Sequence, residues 1–210
     1  MRAGLIVAGG QSRRFGKRDK AVADLAGIPM IRRVADRVVP VVDELVVNCQ
    51  PDQVPAIEAA LAGVEPEPTF AEDPKPDQGP MMGILTGLRE VESEYAFVVA
   101  CDMPFVEPSL AAFLFDRATG HDAAIPQPDE WLQTIQAVYR THAMVRACET
   151  ALARDRRGII DALPELEYVT VDQAEILRHA SLRTFENLNT SEAFDTAVER
   201  FQSIDTLEQH

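Results

Sequence analysis

The stretch LIVAGGQSRRFGKRDK, Leu5 to Lys20, passes from an apolar segment through paired glycines into a loop carrying Arg13, Arg14, Lys17, Arg18 and Lys20. Gly9 and Gly10 let backbone N–H groups approach a ligand closely, and the clustered cations neutralise a polyanion. A nucleoside triphosphate needs both. Taken alone, the loop reads equally well as a solvated basic turn. Neither standard phosphate-loop pattern fits it. Gly10 and Gly16 enclose five residues where a P-loop has four, Arg18 follows Lys17 where Ser or Thr belongs, and Gln11 replaces the second glycine of the dinucleotide pattern.

A second chemical feature is Asp102, directly after the wholly apolar YAFVVA and Cys101. A carboxylate emerging from the end of a buried strand is a hard oxygen ligand that suits Mg²⁺, which takes one or two carboxylates together with substrate phosphates. The plainer reading is a turn cap ahead of Pro104. Cys101 reads as packed rather than reactive, because nothing beside it marks an activated thiolate.

These groups need a scaffold that brings distant loops together. Strand-like segments at Ala3 to Ala8, Glu44 to Gln50, one ending near Asp73, and Tyr95 to Ala100 alternate with helical ones. Pro29, Pro80 and Pro108 are placed to open helices. Further strands are expected in DAAIPQ, WLQTIQAVYR and YVTVDQ, and Thr190 is placed to cap a last helix sharing Phe194, Val198 and Phe201 on one face. The pattern predicts an α/β fold with a doubly wound, mainly parallel sheet and helices on both faces. Ligands in such folds sit beyond the carboxyl ends of the strands. The loops after Ala8, Asn48, Asp73 and Ala100 should therefore share one crevice. One domain over 1–202 is expected, with one half running to about 104 and the other from about 105, and a frayed tail at 203–210.

Composition bounds the partners. The 210 residues carry 34 acidic and 20 basic side chains, a net charge of −14, which would repel nucleic-acid backbones. Lysine occurs only at 17, 20 and 75, so two of three lie in the one loop. Such acidity is what a salty cytoplasm would favour. Cys49, Cys101 and Cys148 lack paired spacing, and the four histidines lack metal-site spacing, so neither disulfides nor zinc are expected. No export signal or membrane span is legible, and a cytoplasmic protein is expected.

The ordered blocks VAGGQSRRFGKRDKA, VVNCQ, AEDPKPDQGPMMGILTGL, VVACDMPF and ENLNTSEAF resemble the molybdenum cofactor guanylyltransferases. The resemblance implies a Rossmann-like nucleotidyltransferase fold, transfer of GMP from GTP to a molybdopterin-type acceptor, and Mg²⁺ as cofactor. It implies that Val7, Ala8, Gly9 and Gly10 line the nucleotide, that Arg14 and Lys20 hold phosphates, and that Asn48 and Asp73 contact the nucleoside. Asp102 would bind the metal and phosphates; Gly79, Pro80 and Gly83 would shape the wall beside the base; Asn187 and Asn189 would face the acceptor. Read without the resemblance, Asn48 is a strand-end turn residue, and Asn187 and Asn189 are caps of the last helix. Protein partners implied are a molybdenum-insertion protein or a target molybdoenzyme. Lys17 in place of the glycine common in relatives, Leu132-Gln133-Thr134 in place of His-Pro-Thr, and the acidic surface depart from the family pattern. Other acceptors, such as adenosylcobinamide phosphate, and a silent cofactor-delivery protein remain the alternatives.

Overall fold

A strand that is apolar at every position has to be covered on both faces, and the computed structural model shows how that is done. It describes residues 1–9, 19–74 and 79–208, with side chains through 203. In chain order the elements are β1 (Arg2–Val7), β2 (Asp24–Leu25), β3 (Ile28–Pro29), α1 (Met30–Val38), β4 (Glu44–Cys49), α2 (Val54–Ala60) and β5 (Thr69–Glu72). Then follow α3 (Pro80–Glu90), β6 (Tyr95–Ala100), α4 (Pro108–Ala118), β7 (Ala123–Gln127) and β8 (Ala137–Arg140). The chain closes with α5 (Thr141–Ala153), β9 (Tyr168–Asp172), α6 (Gln173–Ile176) and α7 (Ser191–Glu208).

Seven strands form one sheet in the order β5-β4-β1-β6-β8-β7-β9. All neighbours are parallel except β8, which runs against both β6 and β7. Alternate residues of the central strands feed opposite cores. Ile6, Val47, Phe97 and Val99 pack with Ile31, Val34, Ile57, Leu110 and Leu114 from α1, α2 and α4. Leu5, Val46, Ala96 and Val98 pack on the other face with Ile84, Leu85, Met144 and Cys148 from α3 and α5. The doubly wound α/β architecture is therefore present, with helices on both faces.

One local expectation is corrected. WLQTIQAVYR is a strand only over Ala137–Arg140; the half-exposed segment before it turns back, with Gln133 N–H donating to the Pro126 carbonyl at 2.8 Å. Pro29 is the N-cap of α1, as expected, and is also the last residue of the short β3, where it pairs with Asp24 of β2. The last helix runs from Ser191 to Glu208 with no proline or glycine to interrupt it, and Ser203 Oγ donates to the Glu199 carbonyl at 2.9 Å. Among the described residues no helix is long and apolar enough to cross a membrane.

Candidate functional site

The parallel strands β5, β4, β1 and β6 release their carboxyl ends side by side, so the loops that follow them are neighbours. Past the strand ends the ladder continues: Ala8 N–H donates to the Asn48 carbonyl at 2.8 Å and Cys101 N–H to the Val7 carbonyl at 3.0 Å. Val7, Ala8 and Gly9 are thus flanked by Asn48 on one side and the Cys101-Asp102 turn on the other. Gly10, Arg13, Arg14, Lys17 and Arg18 lie outside the described residues.

Asn48 and Asp73 form the floor beneath Gly9. The fully buried Asn48 donates from Nδ2 to the Ala71 carbonyl at 3.1 Å and to Asp73 Oδ1 at 2.8 Å. Its Oδ1 is buried with no donor among the described residues. Burial raises the Asp73 carboxyl above the usual carboxylate range, opposed by hydrogen bonds from Asn48 and Thr86. A Cβ on Gly9 would collide with Asp73 Oδ2, and one on Gly83 with Asn48 Oδ1. Glycine at both positions is what lets the two polar side chains fit under the loop. Gly79, with φ 86°, is the residue before α3, whose first position is Pro80.

Two glutamines that sequence reasoning missed hold this floor to the loop. Gln50 Nε2 donates to the Gly9 carbonyl at 3.3 Å and to Asp73 Oδ2 at 3.0 Å. Gln53 Nε2 donates to the Ala8 carbonyl at 3.4 Å and to Asp19 Oδ2 at 2.9 Å, touching both ends of the basic loop. Their signal was available: Gln50 closes the VVNCQ block and Gln53 lies three residues on, beyond a strand's carboxyl end.

On the other flank, four predicted residues come together. Lys20 Nζ donates to Asp102 Oδ2 at 2.6 Å and to Asn189 Oδ1 at 2.8 Å, and Asn189 Nδ2 donates to Asn187 Oδ1 at 2.6 Å. Leu188 N–H donates to the Asp102 carbonyl at 2.9 Å, which fastens the segment preceding α7 to the end of β6. Thr190, not Asn189, caps α7, accepting from Ala193 N–H at 3.1 Å. The asparagine side chains therefore face the Lys20–Asp102 pair rather than serving the helix end. Cys101 is buried and its thiol is pushed up by desolvation, with the nearby Asp102 charge adding to the effect, so it is packed rather than activated.

Behind this cluster, wholly buried Gln136 donates from Nε2 to Thr184 Oγ1 at 2.7 Å, and Thr184 Oγ1 also accepts from Glu107 N–H at 3.1 Å. This ties the residues leading to Asn187 against the start of β8 and of α4.

A glycine turn and a lysine–aspartate pair thus lie at the carboxyl edge of the parallel strands, and comparison with known proteins shows the family. The family described as MobA-like NTP transferase domain matches residues 4–167. The chain belongs to the MobA-like NTP transferases. A probable molybdenum cofactor guanylyltransferase of Natronomonas pharaonis is 50% identical over 95% of this chain and 98% of its own length. A molybdenum cofactor guanylyltransferase of Desulfosudis oleivorans is 31% identical over 92% of this chain and 93% of its own. The crystal structure of molybdopterin-guanine dinucleotide biosynthesis protein A from Archaeoglobus fulgidus superposes with a TM-score of 0.79 at 25% identity, covering 97% of this chain and all of that one. In this MobA-like chain, residues 187–189 lie beyond the span matched by the family, yet Asn189 reaches back to Lys20 and the Leu188 N–H to Asp102, near its start and middle.

Proposed function

We propose that the protein transfers GMP from GTP to the terminal phosphate of molybdopterin, releasing pyrophosphate. The observation that carries this reading is the Lys20–Asp102–Asn189 contact, which gathers the predicted phosphate-side and acceptor-side residues at one point. The chemistry asks little of the protein beyond placement. An acceptor phosphate oxygen is already an anionic nucleophile; as it forms its bond to the α-phosphorus, the α–β bridging bond breaks and its electrons leave with pyrophosphate. No general base is required.

Val7, Ala8, Gly9 and Gly10 present backbone to the nucleotide, with Gly79 at the wall beside the base. Asn48 and Asp73 serve the nucleoside from below, holding the backbone that it rests on. Lys20 and Arg14 neutralise the phosphates and the departing pyrophosphate, because a point cation and a guanidinium fork match those oxygens. Asn187 and Asn189 orient the acceptor phosphate.

The Asp102 carboxylate is a hard oxygen donor at this point, and it suits Mg²⁺ shared with substrate phosphates. Among the described residues no cluster of three acidic, histidine or cysteine side chains is present. Asp102 would hold the ion; when bound, Mg²⁺ supplies Lewis-acid neutralisation of phosphate charge.

The test is pyrophosphate release with Mg²⁺ and each of the four nucleoside triphosphates, with and without molybdopterin. Release with GTP and molybdopterin together is expected. Release with adenosylcobinamide phosphate instead would reassign the acceptor, and GTP binding with no release on any acceptor would leave only a nucleotide-binding protein.

A further inference from the structure

Trp131 is the chain's single tryptophan, and it is 66% exposed. A large amphipathic ring left in water is unusual enough to ask what covers it. It sits on the connection between β7 and β8. Because β8 runs antiparallel to β6 with Ala137 opposite Val98, the chain entering β8 passes beside the end of β6. The connection therefore stands at the carboxyl edge of the sheet, one strand from Asp102 and on the side away from Asn48 and Asp73.

The turn is held on both sides of the ring. Trp131 N–H donates to Asp129 Oδ1 at 2.7 Å, Gln133 N–H to the Pro126 carbonyl at 2.8 Å, and the buried Tyr139 hydroxyl to the Thr134 carbonyl at 2.6 Å. Leu132 is half-buried and packs into the core next to it. The indole is thus a presented surface on an anchored turn. Its neighbours Asp129 and Glu130 are exposed carboxylates, which repel phosphate and accept N–H donors.

We infer that Trp131 is the stacking platform for the ring system of the acceptor. A flat heteroaromatic ring with N–H donors on its edge, carrying its phosphate on a tail, matches this layout: ring over the indole, donor edge toward the carboxylates, phosphate reaching back to Asp102 and Asn189. A pterin is such a ring. The inference rests on the acceptor reading above and assigns a specificity-determining residue to it.

Pyrophosphate release is measured against molybdopterin concentration at saturating GTP for the wild type, Trp131→Ala and Trp131→Phe, and tryptophan emission of the wild type is followed in parallel. The expected result is an acceptor KM raised about tenfold in Trp131→Ala, the scale of one lost stacked ring, with the GTP KM unchanged. Trp131→Phe should restore most of the loss. Emission should be quenched by molybdopterin and left unchanged by GTP alone. Equal acceptor KM values in wild type and Trp131→Ala overturn the inference while leaving the acceptor reading intact. No release by the wild type with molybdopterin overturns both.

Discussion

Lys20 Nζ lies 2.6 Å from Asp102 Oδ2, across 82 positions of sequence, with side chains 12% and 17% exposed. A pair so little exposed gains no clear stability over an apolar substitute, and removing either partner leaves the other poorly compensated. Its placement at the crevice is better explained by a substrate that both residues must meet. Asp102→Ala should lower kcat for pyrophosphate release by about 10²–10³, the scale of one removed electrostatic group, about 3–4 kcal/mol. Lys20→Ala should lose a comparable amount, and the double variant less than the sum of the two, because they act as a unit. Near-normal turnover in Asp102→Ala would remove it from the reaction.

Gly83→Ala should damage the nucleotide floor from below. The added Cβ points at Asn48 Oδ1 inside a close-packed interior, and Asn48 cannot retreat without giving up its bonds to Ala71 and Asp73. Overpacking of this kind destabilises by about 1–3 kcal/mol. Thermal unfolding should show the loss, and GTP titration a weaker affinity with the acceptor KM little changed. An unaltered melting temperature with unaltered GTP affinity would mean that the floor yields.

How much of this was legible in the residues follows from how locally each feature is determined. YAFVVA announces a strand buried on both faces, and β6 runs from Tyr95 to Ala100 as its composition demands. The alternation of β1, β4 and β6 between two cores follows from the same property. Lys20 was legible as a cation of the basic loop, and Asp102, Asn187 and Asn189 as polar residues at strand or helix ends, and the sheet then brings them together. What escaped is set by tertiary pairing. The hairpin of β2 and β3 has only two residues per strand, and Pro29 both closes it and caps the start of α1. The reversal of β8 cannot be read from its apolar pattern, since direction leaves no mark on composition. Gln50 and Gln53 escaped because a glutamine in a loop has many uses: their place beyond the carboxyl end of β4 pointed to the site, but the backbone of Ala8 and Gly9 beside them is what fixes this use.

The three thiols should be silent in the folded protein. Burial raises Cys49 and Cys148 to about 12 and moves Cys101 in the same direction. At pH 8 a thiol-specific disulfide reagent should label none of them in the native state and all three in denaturant. The folded chain holds these protons more tightly than the unfolded chain, so the unfolded chain ionises first as pH rises above about 8.5. Stability should accordingly fall between about pH 9 and 12, by up to ~1.4 kcal/mol per pH unit per thiol. Replacing Cys148 with Ala should flatten that fall; an unchanged alkaline limb would assign it to other groups.

A net charge of −14 on 210 residues predicts salt-dependent stability. Carboxylate repulsion across the surface is screened once the Debye length falls from about 10 Å at 0.1 M salt to about 3 Å at 1 M. The melting temperature should climb with KCl, by about 2–4 °C for each kcal/mol recovered in a chain of this size. A melting curve independent of KCl would show that the surface charges are already spaced well enough not to interact.

Phe201 connects stability to the acceptor side. Its ring is 2% exposed, stacks on Phe105 with centroids 5.0 Å apart, and lies 4.0 Å from the guanidinium of Arg33. Arg33 in turn donates to the Leu25 and Ala26 carbonyls at 2.7 and 3.0 Å, so α7 is clamped to the β2–β3 hairpin through one arginine. Leu188, between Asn187 and the Asn189 that meets Lys20, is buried in the same cluster as Phe201. Loosening α7 should therefore reach Asn187 and Asn189 directly. Phe201→Ala should lower stability by about 3–5 kcal/mol and, at a temperature where the variant is still folded, raise the acceptor KM more than the GTP KM. Phe201→Leu keeps most of the buried volume and should show the same pattern at a smaller scale. A variant that melts early yet keeps the wild-type acceptor KM would show that Leu188 and its bond to Asp102 hold the asparagines without help from the helix.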